Sequence, residues 1–234
     1  METKHVEKLF SSRETLLHYA EQGRKRLEKS GPAGFAYCRI LKHSSTPLSK
    51  NFADPLFFER LYSTLALWGM HGTGPERPKM APFPDFRASM EENSKYFFRL
   101  KGAALLQFLT PPAQLSEDVS ALLSGLKLLK CGDSLTANTK AMHFILPELA
   151  LPMDRSYTLW LFGEQYPATP QGEQDMFFKM AKWFACEAVR LNLYKDFKPS
   201  PMQPSVPKLI DNAIMGYKQV VLHGQLEEMK KHLE

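Results

Sequence analysis

Apolar residues recur every three to four positions along most of this chain, and no stretch alternates apolar and polar residues as a half-buried strand does. That periodicity predicts an all-α protein. The first helical stretch covers 5–29, with Val6, Leu9, Phe10, Leu16, Leu17, Ala20 and Leu27 on one side, and it stops at Gly31-Pro32. The polar run over 34–53, which holds KHSSTPLSKN, reads as irregular. Asp54-Pro55, a cap followed by proline at the first helical position, opens a second helix through LFFERLYSTLALWGM, apolar nearly all round. The segment 71–84 (HGTGPERPKMAPFP) carries two glycines and four prolines and reads as a long loop. Further helices are expected over 84–109, 114–129, 134–146, from Asp154 onward, and over 174–193. After the proline-rich 198–207, two closing helices are expected, 208–217 and 220–233. No repeat of solenoid length is present.

A chain of 234 residues can bury a substantial core as one domain, divisible into lobes of about 30–125 and 126–234 with the N-terminal helix on either. Its 44% hydrophobic and 24% charged residues are those of an ordinary globular protein. The net charge of +5 leans mildly toward polyanions. Cys38, Cys131 and Cys186 are widely spaced and odd in number, which reads as reduced thiols in a cytoplasmic protein. METKHVEKLF lacks the apolar segment of a secretory leader, and no apolar run has the length of a membrane span.

Several chemistries have no carrier. Glycine-rich phosphate loops of the GxGxxG and GxxxxGK[ST] kinds are missing, as are HExxH and GxSxG. The scattered histidines give a metal site no support, and no cofactor is called for. What remains is 126–157, LKLLKCGDSLTANTKAMHFILPELALPMDRSY: helix, short turn, helix, then an apolar link into Pro-x-Asp before the next helix. That layout resembles the helix-hairpin-helix DNA glycosylases, whose second hairpin helix runs on to a proline, an apolar residue and the catalytic aspartate. Pro152-Met153-Asp154 matches that ending, and Thr139-Lys140-Ala141 lies where the second hairpin helix begins. The family's LPGVG-like turn is reduced here to Gly132 before Asp133-Ser134-Leu135. Phosphate docking then falls to the helix N-terminus and to Ser134, Thr136, Asn138 and Lys140, with Arg155 beyond the link. Bifunctional members carry a nucleophilic lysine near the hairpin. Lys127 and Lys130 lie close to that place but out of register, and both also read as cations satisfying a helix C-terminus.

The resemblance implies a two-lobed all-α globule with a helix-hairpin-helix-like element, a cleft between the lobes, and base excision as its function. The nucleotide is extruded from the stack into a pocket. Asp154 stabilises the cationic sugar or activates water. Trp68, His71, Tyr62 and Tyr157 are candidates for the base pocket. Double-stranded DNA is the implied partner, a monomer the implied state, and the target a damaged or modified base, hypermodified phage bases included. Two other readings stay open. One is a non-catalytic DNA-binding or interaction module in which Asp154 is only a helix cap. The other is an unrelated all-α enzyme with a pocket beneath 71–84. His143, on the apolar face of its helix, reads as a hydrogen-bonded core residue.

Overall fold

The structure is a computed structural model and describes residues 3–70, 79–130 and 134–231. It is all-α: among the described residues there is no strand, only two isolated bridges, Met80 with Leu129 and Ser200 with Gln203. The helices are α1 (Lys4–Leu9), α2 (Arg13–Lys29), α3 (Pro32–Leu41), α4 (Leu48–Ala53), α5 (Pro55–Leu65), α6 (Phe83–Glu92), α7 (Ser94–Arg99), α8 (Ala113–Gly125), α9 (Ser134–Ile145), α10 (Trp160–Phe162), α11 (Pro170–Arg190) and α12 (Val206–Lys231). None of them is long and apolar enough to cross a membrane.

Caps decide most of the boundaries where this differs from the periodicity. The expected helix over 5–29 breaks because the Ser12 hydroxyl accepts the Thr15 amide and starts α2 afresh. The stretch 34–53, read as irregular, is largely helical. Pro32 supplies the fixed φ of a first helical position, and Tyr37, Ile40 and Leu41 of α3 are buried. The polar KHSSTPLSKN concealed the apolar GFAYCRIL just before it. The helix expected over 84–109 is cut at Asn93, whose amide donates to the Ser89 and Gly125 carbonyls at 2.8 and 3.3 Å. Residues beyond Gly125 leave the helix and run beside 79–81, with Ala81 N–H donating to Leu128 O at 3.0 Å. The two closing helices are one, α12, whose start Ser205 caps by accepting the Lys208 amide.

Between α7 and α8, Arg99 grips the buried carboxylate of Asp118. That hydrogen-bonded guanidinium holds the Asp118 carboxyl below the usual carboxylate range. The longest helix contact joins α2 to α12, and glycine makes it possible. A Cβ on Gly23 stands 1.9 Å from the Asn212 carbonyl oxygen, and one on Gly216 stands 2.1 Å from that of Tyr19. Both obstacles are backbone, so neither can swing aside. Gly23→Ala is therefore expected to force the two helices apart and destabilise the protein by about 3 kcal/mol, read as a lower urea midpoint. An unchanged midpoint contradicts this packing.

At the centre lies α9, buried at every residue from Leu135 to Ile145. It touches α3, α5, α8 and α11. A helix apolar on one face leaves its polar residues in water, but here even Asn138, Thr139, Lys140 and His143 are inside. Buried polar groups need partners, and those partners build the site.

Candidate functional site

Thr139 comes first. Its hydroxyl accepts the amide of Met153 at 2.9 Å, which pins the apolar link 146–153 back against α9. His143, one turn on, fixes the same link through Nδ1 and the Ala150 carbonyl at 2.8 Å. Thr158 closes it from the far side by donating to Pro152 O at 3.0 Å. With residue 139 held against 153, the next residues on each segment are neighbours: Lys140 Nζ lies 3.6 Å from Asp154 Oδ2.

The two oxygens of Asp154 do different things. Oδ1 accepts the Tyr157 amide at 2.7 Å as a helix cap, leaving Oδ2 toward Lys140. The helix it caps opens as a widened turn, Arg155–Leu159, in which the Leu159 amide reaches back to the Asp154 carbonyl. At 3.6 Å the amine and carboxylate are attracted but are not hydrogen-bonded. Lys140 donates instead to the Trp68 carbonyl at 2.9 Å. Trp68 precedes Gly69, which turns the chain beyond α5 with φ 84°, a backbone glycine adopts without strain.

A cavity of about 230 Å³ opens onto this pair, lined also by Arg26, Trp68, Pro152, Tyr157 and Asp211. Trp68 stacks on Tyr37 at 5.0 Å and meets the edge of Phe144 at 4.9 Å, so its ring is rigidly placed. Lys218 lies 5.3 Å from the Tyr157 ring and donates to the Ser156 carbonyl. Burial pushes the Lys218 ammonium down, and the Asp154 charge opposes that shift. Arg26 and the adjoining Ser30 continue into a shallow groove with Lys25, Lys29 and His223. Arg24 and Lys25 pair with Glu21, whereas Arg26 and Lys29 have no carboxylate partner among the described residues.

The residues singled out by sequence sort into three groups. Asp154, Lys140, Trp68 and Tyr157 come together in the cavity. Others are engaged elsewhere. Ser134 donates to Glu173 at 2.5 Å, and Asn138 is buried with its amide on the Leu123 and Leu126 carbonyls. Thr136 is buried too, so α9 does not offer these groups to a phosphate as the hairpin reading expected. Arg155 is exposed with its guanidinium 5.0 Å over Tyr166. Tyr62 donates to Ala81 O at 3.0 Å and packs on Phe83 and Phe86, holding 79–82 in place rather than lining the cavity. Lys127 and Lys130 are exposed on the segment beside 79–81 and do not line the cavity. Finally, His71 and the hairpin turn Cys131-Gly132-Asp133 lie outside the described residues.

Sequence reasoning placed Lys140 among phosphate contacts and missed it as the partner of Asp154. The one hint is that it is the single lysine in TANTKAMHFIL, a segment with no acid to pair it. Lys208 and Asp211 of α12 were missed altogether. A second cavity, of about 390 Å³, holds His43, Asn51, Lys101 and Glu148. Its His43 is tied to Asn51 and Arg60, and burial raises the Glu148 carboxyl; Lys101 and Glu148 line it without an ion pair between them. No family model, no curated protein and no solved structure matches this chain.

Proposed function

We propose that the protein is a DNA glycosylase that draws a damaged or modified base into the Trp68 cavity and cuts its bond to the sugar. The observation that carries this reading is the buried amine 3.6 Å from a half-buried carboxylate, in a pocket walled by aromatic rings. A helix cap alone accounts for Asp154 Oδ1. It gives no reason to bury Lys140, whose burial is costly unless the charge is used or compensated.

In this mechanism Asp154 Oδ2 faces the anomeric carbon and stabilises positive charge as the glycosidic bond lengthens. Lys140 Nζ forms a bond to that carbon and passes the proton it loses to the departing base. The base departs with the bonding pair. Opening of the sugar ring then leaves an imine between Nζ and the carbon, from which the strand can be nicked. Tyr157 and Pro152 wall the reacting groups from water. Arg26 and Lys29 at the rim supply phosphate contacts, so binding should weaken steeply with salt.

The test is incubation with duplexes that each carry one altered base (alkylated, oxidised, deaminated or glucosylated), scored for alkali-labile abasic sites. At least one duplex is expected to be cut, and Asp154→Asn to slow that cut by about 100-fold or more while DNA binding persists. Cutting that is indifferent to Asp154→Asn contradicts the mechanism. Salt-sensitive binding with no cutting on any duplex favours the non-catalytic DNA-binding reading.

A further inference from the structure

Resting on that reading, we infer that Asp211 selects the base, and that the pocket takes bases with the guanine edge, in which a ring N–H stands beside an exocyclic amine. Asp211 lines the same cavity as Lys140 and Asp154 but belongs to a different element, α12. It is 5% exposed, and its Oδ2 pairs with Lys208, which has no exposure at all. The Lys208 ammonium lies 4.8 Å from the Trp68 ring and 5.2 Å from Tyr37, so two aromatic rings and one carboxylate hold the cation. Asp211 Oδ1 has no hydrogen-bond partner among the described residues. A buried charge pair set into the wall of an otherwise largely apolar pocket is a poor device for stability, since well-packed apolar residues do as well or better. As a recognition device it is apt.

A carboxylate only accepts hydrogen bonds, with two lone-pair sites on each oxygen, so the Lys208 contact leaves capacity on both. The base edge that suits it is one offering adjacent donors. Guanine offers its ring N–H next to an amino group. Adenine and cytosine place a ring acceptor beside their single amine, and uracil flanks its one N–H with two carbonyl oxygens. Each of those sets a lone pair against the carboxylate. The Trp68 ring, held by Tyr37 and Phe144, provides a rigid wall for a planar base, and Lys140 lines the same cavity. Asp211 touches the base and not the reacting bond, so it governs which base is cut rather than how.

The test compares duplexes carrying an oxidised guanine with duplexes carrying the same oxidised purine lacking the exocyclic amine, together with uracil and glucosylated cytosine. Wild-type protein is expected to cut the guanine form about 10- to 100-fold faster than its amine-free twin, the effect of one lost hydrogen bond to a charged group. Asp211→Asn should erase that ratio, and a retained cooperative melting transition shows that the variant is folded. Should Asp211→Asn fail to fold, the wild-type ratio alone still decides. Equal rates for the two purines, or a preference for uracil or glucosylated cytosine, overturn the assignment and leave the glycosylase reading standing. No cutting of any duplex overturns both.

Discussion

Lys140→Gln should abolish strand nicking at abasic sites and slow base release by about a thousandfold or more, the scale seen when an enzyme's nucleophile is removed. Glutamine keeps a donor for the Trp68 carbonyl, so the pocket should hold its shape. Lys140→Arg separates charge from nucleophilicity. Arginine restores a cation beside Asp154 but has no amine that can lose its proton near neutral pH. Both variants are expected to fail equally, whereas Lys127→Gln and Lys130→Gln, at exposed positions away from the cavity, should behave as wild type. Rescue by arginine contradicts a covalent role and leaves Lys140 as an electrostatic partner only. The readouts are gel-resolved nicking and alkali-revealed base loss, measured side by side.

The second large effect concerns stability against pH. His143 has no solvent exposure and is stacked parallel to Tyr37. Its Nδ1–H donates to the Ala150 carbonyl, and its Nε2 accepts from the Tyr37 hydroxyl at 3.0 Å, which is the neutral tautomer. Burial, with the Lys208 charge adding to it and the Ala150 hydrogen bond opposing, lowers the imidazole from about 6.5 to about 3. The folded protein therefore binds its proton far less readily than the unfolded chain. His143 makes its full contribution above pH 6.5, and that contribution is lost as pH falls toward 3. At pH 5 the loss is about 2 kcal/mol, from 1.4 kcal/mol per unit of separation. Carboxylates such as Asp118 add their own acid sensitivity, so the decisive quantity is a difference between proteins. His143→Gln, which cannot titrate, should lose roughly 4–8 °C less in melting temperature than wild type between pH 7.5 and pH 5. Parallel profiles contradict a neutral buried imidazole.

How much of this was legible in the sequence depends on the range of the interactions that decide it. The all-α class and the caps at Asp54 and Asp154 follow from periodicity and local hydrogen bonding, which a linear chain displays. The break at Ser12 was local too and was outweighed by a helical pattern that ran straight past it. Other features depend on distant partners. Nothing near 218 marks α12 as continuous, because what holds it is a glycine contact with α2, almost two hundred residues earlier. Asn138 and Thr139 look like surface groups until α8 and the 146–153 link are folded onto them. The Pro-x-Asp ending pointed to Asp154, but its partner was sought at Lys127 and Lys130. The geometry that matters is a transverse one, set by Thr139 holding Met153. Asp211 had no signal at all: in PKLIDNAIM it is an ordinary helix aspartate.

The most direct test of the central claim is borohydride reduction during turnover, followed by digestion and mass mapping of the protein–DNA adduct. An imine between a lysine and the sugar is fixed by that reduction as a stable secondary amine. The proposed mechanism predicts a single adduct on Lys140, absent from Lys140→Arg and much reduced in Asp154→Asn. Base release without any adduct, or an adduct on Lys127 or Lys130, contradicts it.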